Sequence, residues 1–82
     1  MSENKTRYKN VFQSVFEVDD ETLASNPGYQ GIDGWDSVGH MAFMAALEDE
    51  FAIELDIDDI IDFSSYEFGM TILAKYGVDV TQ

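Results

Sequence analysis

The chain has 82 residues, 45% hydrophobic and 13% aromatic, which suits one small packed domain and is too apolar for a disordered segment. Asp and Glu number 17 against 4 Lys and Arg, a formal net charge of −13. A polyanion of this kind repels nucleic acid and anionic membrane surfaces, so the partners it suits are proteins with basic patches.

Tyr8, Val11, Phe12, Val15 and Phe16 recur at i, i+3, i+4, i+7 and i+8, one face of an amphipathic helix over about 4–17. Residues 18–36 carry no helical period and contain Pro27, Gly28, Gly31 and Gly34. Val18, Leu23, Tyr29, Ile32 and Trp35 are spaced along this stretch as anchors, so an ordered long loop is expected, with room for a short turn of helix.

A second helix is expected over about 37–51, with Asp36 as its N-cap. His40, Phe43, Met44, Leu47 and Phe51 form a large-residue face that reads as core. Val38, Ala42, Ala45 and Asp49 form a small or acidic face. That second face reads as an exposed apolar strip rimmed by Glu48 and Asp49, a pattern expected of a contact site. A short helix is expected at about 58–62, with Asp56, Asp58 and Asp59 suiting its N-terminal end. Ser64 and Glu67 fit a capping box for a last helix over about 65–76, with Gly77 placed to end it. The count is three main helices and one short one, an all-α single domain over 1–82.

With no Cys, the chain has no disulfide, no thiolate metal site and no Cys nucleophile, and any thiol chemistry requires an added group. The start MSENKTRYKN has no apolar h-region, and the longest apolar run, Met41 to Leu47, is far short of the roughly 20 residues of a membrane span. A cytoplasmic protein without membrane insertion is the expectation.

Three chemical readings compete. Asp56, Asp58 and Glu67 match the first, third and twelfth positions of a calcium loop, but Ile60 and Ile61 stand where a ligand and a turn glycine are needed. A solvated acidic face is the better account. Ser37 and Gly39 fit part of a hydrolase nucleophile elbow, but Trp35 replaces its first glycine. The single histidine, His40, lies on the same helix and reads as a core residue with a local hydrogen bond. Ser37 also opens a helix behind an acidic N-cap, where free N–H groups favour an anion and a phosphate ester would be well placed.

Asp36-Ser37-Val38, followed by Met41, Phe43, Met44, Ala46, Leu47, Glu48, Asp49, Glu50 and Phe51, resembles the acyl carrier proteins. The similarity runs without gaps through Leu55, Ile60, Phe63, Ser64-Ser65-Tyr66 and the last helix, and includes Val18 and Leu23. It implies a four-helix bundle of the acyl-carrier type, with a short third helix and a long loop between the first two. It implies that Ser37 carries 4′-phosphopantetheine, taken from coenzyme A by a partner transferase using Mg²⁺, with Asp36 assisting. The chain is then a substrate and not an enzyme. Its cargo is a thioester presented to acyl-loading and acyl-transfer enzymes with basic docking patches, and a monomer is expected.

Met41, Phe43, Met44, Leu47 and Ile61 are candidates for an interior acyl cavity, against ordinary core packing for each. The short third helix is the expected place of motion. Gly39 and Ala42 stand where fatty-acid carriers usually show acids, and Trp35 where they commonly have a small residue. These departures point to a specialised lipid, polysaccharide or secondary-metabolite pathway, with docking through Val38, Ala42, Ala45, Glu48 and Asp49. The alternative is an unmodified acidic helical interaction module. Mimicry of nucleic acid suits the charge but not the apolar strip.

Overall fold

The computed structural model describes residues 3–80 and is all-α. In chain order the helices are α1 (Glu3–Phe16), α2 (Asp20–Ala24), α3 (Ser37–Phe51), α4 (Ile57–Asp62) and α5 (Tyr66–Lys75). The three long helices fall within a residue or two of their sequence-based bounds. The addition is α2, inside the stretch expected to be loop. Five residues are too few to show a period, and its start is set locally. The Asp19 carboxylate accepts from the Thr22 N–H at 2.8 Å, and Asp20 and Glu21 occupy the first turn.

The core forms where α1 packs along α3. Tyr8, Phe12 and Phe16 are buried from one side and Phe43, Met44 and Leu47 from the other. Val11, Val15 and Phe51 are partly buried at the edge. Phe12 meets Trp35, Phe43 and Tyr66 edge-on at 5.3, 5.2 and 5.0 Å, a geometry that adds about 0.5–1.5 kcal/mol per pair beyond area burial. Tyr8 stacks on Tyr66 at 4.6 Å and donates its O–H to the Tyr66 carbonyl at 2.6 Å. Burial, and then the neighbouring Tyr66, pushes the Tyr8 phenol well up; burial pushes Tyr66 up to about 12.

Of the expected loop anchors, Leu23 and Trp35 are buried, while Val18 and Ile32 pack partly against the core. Tyr29 is 39% exposed and anchors nothing in the core. Its backbone is fixed instead by an antiparallel bridge to the start of α5. The Tyr29 N–H donates to the Ser64 carbonyl at 2.8 Å, and the Tyr66 N–H to the Pro27 carbonyl at 3.0 Å.

The cap of α5 differs from the capping box expected at Ser64. Ser65 Oγ accepts from the Phe68 N–H at 3.0 Å. The Glu67 N–H is satisfied by the Asn26 side-chain oxygen at 2.9 Å, a cap delivered from the loop after α2. At the other end the Gly77 N–H reaches the Ala74 carbonyl and the Val78 N–H the Leu73 carbonyl, a Schellman closure with Gly77 at φ +81°.

The polarity of α4 is inverted. Ile57 and Ile61 are each 72% exposed, whereas Asp59 is buried. Asp59 accepts from Lys75 Nζ and from the Tyr76 hydroxyl, each at 2.5 Å, and the Tyr76 oxygen accepts in turn from the Asp56 N–H at 2.9 Å. Lys75, and then Tyr76, hold the Asp59 carboxyl below the usual carboxylate range. The expectation of a wholly solvated acidic face is thus corrected at Asp59.

Candidate functional site

Ser37 is the first residue of α3 and is exposed. Asp36, the N-cap, accepts from the Gly39 N–H at 2.9 Å. The loop returns so close to α3 here that a Cβ on residue 39 would lie 1.7 Å from the Gly34 carbonyl oxygen. No side chain fits at 39. Glycine at this position therefore has a steric origin in the path of the loop.

Beside Ser37 lies a pocket of about 410 Å³. Ser37, His40 and Met41 of α3 form one wall, Ile60 and Ile61 of α4 another, and Tyr29, Phe63 and Ser64 complete it. The Tyr29 hydroxyl is 3.2 Å from Ser37 Oγ, and its ring meets the His40 ring edge-on at 5.4 Å. His40 separates the pocket from the core. Its Nδ1 accepts from the indole N–H of Trp35 at 2.9 Å, since an indole can only donate. That assigns the proton to Nε2, which donates to the Ile60 carbonyl at 2.7 Å. Both nitrogens are engaged, so His40 ties the loop, α3 and α4 together and is not placed to act as a free base.

Of the five cavity candidates, Met41 and Ile61 line this pocket, at its outer edge, with exposures of 55% and 72%. Phe43, Met44 and Leu47 do not line it. They are packed into the core at 0–1% exposure, because the aromatic cluster fills the space behind His40. Tyr29 and Ser64, which do line it, carried no periodic signal. His40 carried one, since i and i+3 from Ser37 share a helix face.

Val38 (81% exposed), Ala42, Ala45 and Asp49 all lie at the surface of α3. Glu48 differs from these four. It is partly buried, and its carboxylate accepts from the Leu55 N–H at 2.8 Å, holding the turn that leads to α4. Among the described residues no group of three or more His, Cys, Asp or Glu is placed to hold a metal ion. A larger groove of about 760 Å³ runs between α1, α2 and α5, with Lys5, Lys9, Leu23 and Met70 in its walls. It contains neither Ser37 nor Asp36 and none of the docking or cavity candidates, so size alone does not mark the site.

No family model, no curated protein and no solved structure matches the chain.

Proposed function

We propose that the chain is an acyl carrier protein, a four-helix bundle of the acyl-carrier type in which α2 belongs to the long connection, carrying 4′-phosphopantetheine on Ser37. The observation that carries this reading is the placement of Ser37. Its hydroxyl is exposed at the start of a 15-residue helix, next to Asp36 and at the edge of a mainly apolar pocket. The residues fit the group: free N–H groups of the first turn favour a phosphate, and a pocket adjoins the point of attachment. In the transfer, the Ser37 O–H gives its proton to the transferase. A phosphoester bond forms to Oγ, and 3′,5′-ADP leaves from coenzyme A. Asp36 assists the Mg²⁺ of the transferase.

The arm supplies the thiol that a chain without Cys lacks, and the acyl group rides on it as a thioester. The chain acts as a cytoplasmic, monomeric substrate and not as an enzyme. Acyl-loading and acyl-transfer enzymes dock on Val38, Ala42 and Ala45, with acids such as Asp49 at the rim meeting basic groups of the partner. Exposed Met41, Ile57 and Ile61 extend this apolar surface onto α4. With Gly39 and Ala42 in place of acids, recognition leans on apolar contact, which suits a specialised lipid, polysaccharide or secondary-metabolite pathway.

The same exposed apolar side chains favour a second reading, an unmodified interaction module. The two are separated by intact mass after incubation with coenzyme A, Mg²⁺ and a broad-specificity phosphopantetheinyl transferase. One added phosphopantetheinyl group, absent in Ser37→Ala, is expected of a carrier. No addition with several transferases leaves the interaction module.

A further inference from the structure

Beyond the backbone N–H groups of the first turn, the side chains around Ser37 offer a phosphodiester no positive charge. The chain has 17 acids, and Asp36 is the adjacent residue. No Lys or Arg lines the pocket beside Ser37. Elsewhere Arg7 is paired with Glu50, Lys9 with Asp20 and Lys75 with Asp59. Both nitrogens of His40 are committed to Trp35 and Ile60. The side-chain donor already in contact with Ser37 Oγ is the Tyr29 hydroxyl.

In the unmodified chain either hydroxyl of this pair can donate. Esterification removes the proton from Ser37, so afterwards only Tyr29 can be the donor. It would then face a phosphodiester whose oxygens carry a negative charge, and a hydrogen bond to a charged acceptor is roughly twice as strong as a neutral one. Tyr29 is held for this by its backbone bond to Ser64, beside the Gly28–Ser65 bridge, and by its ring edge against His40. Such a group gives up little freedom when it binds.

We propose that Tyr29 is a positioning residue for the arm, donating to the Ser37 phosphodiester and turning the pantetheine toward the pocket between α3 and α4. This rests on the carrier reading. The consequence is that a short acyl thioester lies against His40, Met41 and Ile61, shielded from solvent, without the help of a basic side chain.

The test uses the full chain and Tyr29→Phe, which removes only the hydroxyl. Each is loaded with pantetheine from coenzyme A, or with acetyl- and hexanoyl-pantetheine from the acyl-coenzyme A. The ³¹P resonance of the phosphodiester and the rate of thioester cleavage by hydroxylamine are then measured. Both proteins are expected to take up the arm and to melt at the same temperature before loading. The variant is expected to show a displaced ³¹P resonance and cleavage roughly tenfold faster, the scale of one hydrogen bond to a charged group. An arm attached to both proteins with the same resonance and the same cleavage rate would overturn the role of Tyr29 and leave the carrier reading intact. A variant that folds but is not modified, beside a modified parent, would move Tyr29 into the transfer step and overturn the proposal as stated. No arm on either protein removes the carrier reading and this inference with it.

Discussion

Helices α3 and α4 both present isoleucine, valine or methionine to solvent, yet they are attached to the protein by opposite means. Behind its exposed face, α3 drives Phe43, Met44 and Leu47 into the core at 0–1% exposure. Behind its own, α4 turns in Asp59 and a half-buried Ile60, and leans on Leu55 and Phe63 just outside its ends. The closest ties of α4 are polar: Asp59 to Lys75 and Tyr76, and the Ile60 carbonyl to His40. A helix of six residues has little stability of its own, so those ties decide whether it stays. The difference teaches that exposed apolar residues can belong to a rigid platform or to a loosely clasped flap. The inward face tells which.

The comparison breaks most visibly at Phe43. Phe43→Ala should cost about 3–5 kcal/mol, seen as a large loss in denaturant midpoint, because the cavity opens among rings that are themselves fully buried. An intermediate effect is expected at Asp59, and it is local. Since Lys75 and Tyr76 lower the Asp59 pKa, the clasp contributes fully above the unfolded value, about 3.9. It is lost as the pH falls through the lower folded value. The protection factors of the α4 amides, which divide out the intrinsic pH dependence of exchange, should therefore be unchanged from neutral pH to about pH 5 and should fall in stronger acid. Asp59→Asn should lower them already at neutral pH and should differ little from the parent in strong acid, while the α1–α3 amides stay protected. Equal loss of protection in both regions would mean that α4 is no separate unit. The smallest effect belongs to Ile57→Ser and Ile61→Ser. Each should change thermal stability by no more than about 0.5 kcal/mol, since these side chains are already in water. A loss comparable to that at Phe43 would show that they pack after all.

The long helices were legible because burial on one side imposes a period of 3.6 residues, and Tyr8 to Phe16 and His40 to Leu47 display it. The inner and outer faces of α3 follow from the same rule. What escaped was set by contacts remote in sequence. Two adjacent serines compete to cap α5, and Ser65 prevails with Asn26 supplying the second acceptor from 41 residues away. No local pattern contains that. The inward turn of Asp59 is hidden for the same reason, since its partners lie 16 and 17 residues on. At the candidate site, Asp36, Ser37 and His40 could be placed on one helix from spacing alone. Tyr29 could not, because a loop without period carries no information about which way its side chains face. Glu48 was expected at the exposed rim and is instead partly buried, because its bond to the Leu55 N–H depends on how the chain turns after Ala52, which sits at φ +53°.

Trp35 gives the protein an optical property. It is the single tryptophan, it is fully buried, and its indole is bonded to the imidazole that walls the pocket. Its emission therefore comes from one chromophore in one environment. A shift of His40 away from the indole, or of α4 away from His40, changes the polarity and quenching around that ring. The wall between core and pocket can thus be followed in real time by intrinsic fluorescence, without a label.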